Sequence, residues 1–293
     1  VGLLEYALLA GLLYGLYFAL VAAGLNLIFG VMRIINLAHG DFLMLGAYGA
    51  FYLYHLMGWS PLWAIPLEFV VFLALGLPLY YLLVPRLQRS GDPEMRSFIL
   101  FFGLSQIIEA LAVFAFGNDQ RSIPSNVFGG HPVDLLGQTF PLAWVLSAVF
   151  GLLGIAALYV YLYGSSLGRA TRAIMANPDE AAITGISVQR ISALTFGIGI
   201  ALAALAGIFS PFMVGAIQPD LGVGITLISF AIVVIGSLGH PLGTLVGGIV
   251  YGVSLMLMQT YLPSWSQMLP FVLLIAILLV RPGGLLGKGV RRA

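Results

Sequence analysis

Between Leu221 and Val280 the chain runs for 60 residues without an Asp, Glu, Lys or Arg, and between Tyr6 and Met32 for another 27. A helix needs about 20 mostly apolar residues to cross a hydrocarbon core of roughly 30 Å, so runs of this length are spans of a bilayer. Charged residues act as punctuation. The apolar segments between them are 6–32, 42–57, 61–84, 97–117, 141–163 and 191–214, and the stretch 221–280 follows. That last stretch holds either three crossings, broken near His240-Pro241 and Pro263, or one crossing and a re-entrant pair. Three crossings are preferred, because Asp220 and Arg281 then fall on opposite sides. The expected fold class is all-α, a polytopic transmembrane helical bundle of about eight to nine spans with room for a re-entrant segment. Residues 1–293 form one membrane domain in this reading.

Composition agrees. Hydrophobic residues make up 60% and charged residues 8%, against roughly a quarter charged in soluble domains. A net charge of +1 supplies no basic field for nucleic acid. Cysteine is absent, which excludes disulfides and thiolate metal sites. The first basic residue is Arg33, so the apolar start lacks the positive region of a secretory signal and reads as a span.

Ten of the twelve cations fall in three groups: Arg86, Arg89 and Arg96; Arg169, Arg172 and Arg190; Arg281, Lys288, Arg291 and Arg292. The positive-inside rule makes these groups cytoplasmic. The stretch 118–140, with Asp119, Asp134 and Arg121, and the acidic link Gln218–Asp220 are then external. Parity puts the amino terminus outside and the carboxy terminus in the cytoplasm. Small residues at four-residue spacing, such as Gly199, Ala203 and Gly207, or Gly243 and Gly247, mark faces where helices pack closely. Trp59, Trp63, Trp144 and Trp265 stand near span ends and read as interface anchors.

The polar segment 164–190 contains a helix start with its own mechanism. Asn177 can cap, Pro178 suits the first helical position, Asp179 favours the positive end, and Glu180 stands three residues after the cap. A short helix is expected from Pro178 to about Ile183, closed near Gly185 by a left-handed residue. It is either an amphipathic loop helix on the headgroups or a docking element for a soluble partner.

Two further groups of polar residues are candidates for a translocation path. Arg33, Asn36, His39, Gly40 and Asp41 lie between two spans with almost no loop. One reading is a re-entrant stretch in which Asn36 and His39 offer hydrogen bonds to a solute. The other is a cytoplasmic turn in which Asn36 caps the next helix and Asp41 favours its first turn. Ser105, Gln106 and Glu109 share one helix face. Inside a bilayer Glu109 is an attractor for an ammonium group, a proton carrier, or an interhelical hydrogen-bonding group. Glu68, about seven residues into its span, is expected near the outer interface and hydrated. No metal site is expected, since no second ligand accompanies His39 at helical spacing, and no catalytic pair is present.

The run Glu180, Ala181, Ala182 followed by Gly185 resembles the coupling motif of ABC-importer permeases, although two residues rather than three separate the EAA from the glycine. With GRATRAIMANPDEAAITGI, the run Gly24–Tyr48 and the glycine-rich Ser237–Gly252, the chain resembles the branched-chain amino-acid and sugar permease family. The resemblance implies the membrane subunit of an ATP-driven importer in a bacterial or archaeal cytoplasmic membrane. Its partners would be a second permease, homologous or identical, two ABC ATPase subunits and an extracytoplasmic solute-binding protein. The coupling surface would comprise Arg169, Arg172, Asn177, Pro178, Asp179, Glu180, Ala181, Ala182 and Gly185. ATP and Mg would bind in the partner ATPases and no cofactor in this chain, whose single lysine, Lys288, lies in no phosphate-loop motif. Branched-chain amino acids are the implied cargo, with urea or short amides as the alternative. A stand-alone channel or proton-coupled carrier using Glu109 and His39 is the reading from another class.

Overall fold

The computed structural model describes residues 2–88 and 91–287; Arg89, Lys288, Arg291 and Arg292 lie outside the described residues. The chain forms α1 (Gly2–Met32), α2 (His39–Met57), α3 (Ala64–Gln88), α4 (Pro93–Phe116), α5 (Leu142–Gly164), α6 (Ser166–Ala176), α7 (Pro178–Ile183), α8 (Val188–Met213), α9 (Leu221–Gly236), α10 (Pro241–Tyr261) and α11 (Leu269–Val280). Among the described residues, seven are long and apolar enough to cross a membrane: α1, α3 to α5, α8, α10 and α11, where α3 and α11 each continue a preceding 3-10 turn. The other two counterparts of the expected spans are α2 and α9. The first turn of α2 carries His39 and Asp41, and α9 has 16 residues, about 24 Å at 1.5 Å per residue. The stretch 221–280 therefore holds three helices, broken at Ser237–His240 and at Leu262–Pro263.

The helix ends follow local chemistry. Asp92 caps α4 by accepting from Met95 N at 3.1 Å, with Pro93 at the first helical position. His240 caps α10 through Nδ1, which accepts from Gly243 N at 3.2 Å. Between α4 and α5, Val133–Leu135 (β1) and Gln138–Phe140 (β2) pair antiparallel. Leu136 and Gly137, both at positive φ, make the two-residue turn that such a hairpin favours.

The centre is a crossing of α1 and α8. A Cβ on Gly24 would overlap Gly199 O, so the backbones touch there, as small-residue faces permit in lipid. Around this crossing α10 packs along α1 and α3 along α8, while α2 lies on α8 and α9 on α1. Exchanging α1 with α8, α2 with α9 and α3 with α10 leaves this pattern of contacts unchanged. The expected four-residue faces are used: Gly199 meets α1, Gly207 meets α2, and Gly243 and Gly247 meet α9.

Two expectations are corrected. Glu68 is 4% exposed, with its carboxylate against Gly49 of α2 and neither oxygen partnered among the described residues. It faces inward because α3 turns that side towards α2 and α8. Trp144 holds helices together: its Nε1 donates to Phe212 O at 2.9 Å and its ring meets Tyr14 edge-on at 4.8 Å. Trp59, Trp63 and Trp265 are exposed, as interface anchors should be.

Candidate functional site: a capped loop at one end and a buried polar junction

The segment 164–190 folds as two helices. Ser165 caps α6, its Oγ accepting from Gly168 N at 2.8 Å and donating to Tyr161 O at 2.7 Å. The Arg172 guanidinium lies 4.4 Å from the Tyr163 ring centre, which fixes α6 to the end of α5. Sequence reasoning found α7 with its true bounds and missed α6. Asn177 Oδ1 accepts from Asp179 N at 3.0 Å and Glu180 N at 3.3 Å, while its Nδ2 donates to Glu180 Oε1 at 2.8 Å. Asn177 thus caps α7 through its side chain, and Glu180 holds that side chain in place, while Asn177 N donates to Ala173 O of α6 at 3.0 Å. Gly185, at φ 86°, closes the helix, and its N–H donates to Ala182 O at 3.0 Å. Ala181 is buried and anchors α7, whereas Pro178, Asp179, Glu180 and Ala182 are exposed and Ile183 is 86% exposed. Arg169 is exposed as well. A rigid, capped element with an exposed isoleucine beside two carboxylates is shaped for contact with another surface.

Met175, beside this loop, meets Gly30 and Gly239, and Arg33 lines the same recess of about 210 Å3. Leu285 N donates to Ile235 O at 2.8 Å. Arg33, α6, the 237–240 link and residues 281–287 therefore share one end of the bundle. At the other end, Arg121 and Ile217 exchange backbone hydrogen bonds of 2.9 and 2.7 Å, and Gln120 Nε2 donates to Gln218 Oε1 at 3.2 Å. The two segments assigned together to the outside are thus neighbours.

The second group lies inside. Asn36, His39 and Asp41 are each 0% exposed. Asn36 Oδ1 accepts from Ala38 N at 3.1 Å, making a turn before α2; the position before the helix is Ala38, which has no side-chain cap bond, so Asn36 does not cap α2. His39 Nε2 donates to Val21 O at 2.8 Å. Gly40 N donates to Thr226 Oγ1 at 2.8 Å, and that hydroxyl stands 3.1 Å from Leu37 O and 3.0 Å from Gly222 O. The first turns of α2 and α9 are thereby joined. Asn36 and His39 fasten the chain here, and neither lines the larger cavities.

Asp41 is enclosed against Gly222 of α9, with Ser105 of α4 near enough to donate to its carboxylate and Glu109 of α4 near enough to repel it. Ser105 is buried, Glu109 is half-buried and Gln106 is exposed, with Gln106 Nε2 3.5 Å from Glu109 Oε2. The structure thus brings Asp41, Ser105 and Glu109 together from two helices and leaves Asn36 and His39 apart from them. No group of three or more metal-binding side chains exists among the described residues.

Two features escaped the sequence. Asn26, buried within α1, donates through Nδ2 to Thr244 Oγ1 at 2.6 Å and His240 O at 3.0 Å, and accepts from Gly239 N at 2.6 Å. A single amide in a 27-residue charge-free run was the available signal. The other is a cavity of about 520 Å3 towards the far end of α10, lined by Tyr14, Phe18, Tyr251, Gln259, Gln267 and Phe271 among others, with no charged residue.

Residues 7–278 match the family described as branched-chain amino acid transport system, permease component. The chain belongs to this permease family. Permease relatives include the high-affinity branched-chain amino acid transport system permease protein LivH of Escherichia coli (strain K12), 29% identical over 95% of this chain and 94% of that protein. The probable branched-chain amino acid transport permease protein LivH of Methanocaldococcus jannaschii is 30% identical over 94% of this chain and 90% of its own. The ribose import permease protein RbsC of Bacillus subtilis is 28% identical over 54% of this chain and 50% of its own. No solved structure matches.

Proposed function

We propose that this permease is the membrane-spanning subunit of an ATP-binding-cassette importer that carries branched-chain amino acids across a cytoplasmic membrane. Two separate ATPase subunits hydrolyse the ATP, a solute-binding protein delivers the cargo from outside, and a second permease completes the path. The observation that supports this best is α7. Its Asn177-capped turn and exposed Ile183 stand at the end of the bundle that carries Arg33, Arg169 and Arg281, the end that the positive-inside rule makes cytoplasmic. Closure of the ATPases pushes on α7, and α6, held to α5 by Arg172 and to the core by Thr171, passes the displacement to the spans. Asp41, Ser105 and Glu109 supply acceptors for an ammonium group on the path.

The test is purification of the chain with its ATPase subunits, followed by reconstitution with the binding protein. Leucine should stimulate ATP hydrolysis and enter the vesicles, and the isolated chain should transport nothing without nucleotide. Stimulation by urea and not by leucine would overturn the cargo, and nucleotide-free transport would overturn the importer.

A further inference from the structure

At the end of the bundle that the positive-inside rule makes cytoplasmic, the recess of about 210 Å3 sets one cation among apolar walls. Phe29, Gly30 and Arg33 come from the end of α1, Met175 from α6, and Leu238 and Gly239 from the link into α10. Two glycines let the walls close up: a Cβ on Gly30 would overlap Met175 Cε and stand 3.0 Å from Gly239 Cα. Asn26 fixes Gly239 by accepting from its N–H at 2.6 Å. No carboxylate lines the recess. The one ion pair among the described residues joins Arg121 to Asp119, so among them Arg33 has no acidic partner.

Arg33 occupies this place against its backbone preference. Its N–H donates to Phe29 O at 2.8 Å and its φ is 51°. Glycine usually supplies such a left-handed closure, because a side chain there crowds the backbone. Ser237, next to Leu238, also has positive φ, at 121°. Among the described residues the third non-glycine case, Leu136, sits in the hairpin turn at the other end. Strain of this kind persists where a side chain is needed at a fixed place. The positive-inside rule alone does not explain it, because a cation one or two residues further on would meet that rule equally well. The last carbonyls of α1, from Gly30 to Met32, are paired with no backbone N–H of the described residues, and a free helix end of this sign draws a cation. A group that attracts a carboxylate and one that attracts an ammonium thus stand beside Phe29, Met175 and Leu238.

We infer that this recess binds a free amino acid with an aliphatic side chain on the side where the cargo is released. The carboxylate pairs with the Arg33 guanidinium, whose planar fork suits it. The ammonium meets the free carbonyls of α1, and the side chain rests on Phe29, Leu238 and the adaptable thioether of Met175. Pockets for drug-sized ligands measure about 300–1,000 Å3, so a recess of about 210 Å3 takes a smaller molecule of this kind. The site rests on the importer reading above and adds its regulation by product. An occupant touches α1, α6 and the 237–240 link together. It therefore favours the arrangement in which these three elements meet, and accumulated cargo slows the displacement of α6 that the cycle requires.

The natural absence of cysteine makes the site readable by labelling. Leu238→Cys in the wall and Leu136→Cys in the distant hairpin turn are prepared in the importer purified with all its subunits and held in lipid nanodiscs. Modification of this chain by a fluorescent maleimide is timed in leucine, in leucinamide, which lacks the carboxylate, and in inorganic phosphate. Leucine should slow modification of Leu238→Cys several-fold and leave Leu136→Cys unchanged, while leucinamide and phosphate protect neither. Adding Arg33→Gly to Leu238→Cys should abolish the protection while the melting temperature holds or rises, since glycine suits φ 51°. Arg33→Asn, which also tolerates that backbone, should do the same. In vesicles, leucine enclosed on the cytoplasmic side should slow ATP-driven uptake several-fold in the parent and not in Arg33→Gly. No protection by leucine would overturn the site. Equal protection by leucinamide would overturn the carboxylate contact, and equal protection by phosphate would overturn the choice of ligand. Protection that survives both Arg33 variants would overturn the role of the guanidinium, and lower melting temperatures in both would overturn the strain argument. Equal slowing of uptake in Arg33→Gly would overturn the regulation. Failure of the importer reading shows separately, as parent vesicles free of internal leucine that take up none with ATP.

Discussion

Gly222 in the first turn of α9 stands directly against the carboxylate of Asp41 in the first turn of α2, so that a Cβ on Gly222 would overlap Asp41 Oδ1. The contact is reinforced by Thr226, whose hydroxyl accepts from Gly40 N at 2.8 Å. Two helices that are shorter or more polar than the other spans thus begin at one junction inside the protein. Irregular backbone is tolerated within a membrane protein when it is enclosed in this way.

Gly222→Ala should therefore destabilise the chain by about 1–3 kcal/mol, the usual cost of overpacking a closed site. Gly164→Ala, where an added Cβ meets only ordinary contact at 3.6 Å, should be neutral or slightly stabilising. Thermal unfolding of both variants in the same detergent compares them. Equal melting temperatures would mean that the α2–α9 junction yields easily.

The proposed coupling role of α7 gives a prediction with two readouts. Asn177→Ala removes the acceptor for Asp179 N and Glu180 N and should cost α7 about 1 kcal/mol. Glu180→Lys and a bulky residue at Gly185, whose φ is 86°, should leave insertion intact and lower leucine uptake relative to ATP hydrolysis. The expected loss is roughly tenfold, within the ordinary range of a coupling free energy. Uptake and hydrolysis measured on the same vesicles decide it, and unchanged ratios in both variants would remove α7 from the coupling path.

What the sequence revealed and what it hid differ by range. The bounds of α7 were legible because Asn177, Pro178, Glu180 and Gly185 act on backbone within four residues of themselves. The breaks at His240-Pro241 and Pro263 were legible for the same local reason. The burial of Glu68 was not, because its depth depends on which side of α3 turns to α2, a tertiary fact. The surroundings of Asn36 and His39 were hidden similarly: a buried polar turn and a path-lining turn have the same residue types, and only the fold shows both side chains bonded to the chain's own backbone.

Glu68 itself is open to test. Its carboxylate is enclosed against Gly49 with no hydrogen-bond partner among the described residues, and an ionised carboxylate is costly to bury unpaired. Glu68→Gln has nearly the same shape without the charge, and should keep or raise the melting temperature at neutral pH. If transport also persists, the residue serves packing alone. A sharp fall in uptake with stability unchanged would instead place Glu68 among the groups that act during the cycle.

Asn26 gives the longest-range prediction, because its hydrogen bonds span 213 residues to Gly239 and 218 to Thr244. Its amide satisfies Gly239 N and His240 O where the chain turns from α9 into α10, so it does for this turn what a backbone ladder does elsewhere. Asn26→Leu would leave that donor and acceptor buried and unmet, at about 1–3 kcal/mol for each group so stranded. Asn26→Asp keeps the acceptor for Gly239 N but sets a carboxylate against His240 O and should also destabilise. Thermal melting together with hydrogen exchange at Gly239 would separate a local effect from a global one. The expected result is faster exchange at Gly239 and a lower melting temperature in both variants. Unaltered exchange would show that the 237–240 turn is held by the α9 and α10 caps alone.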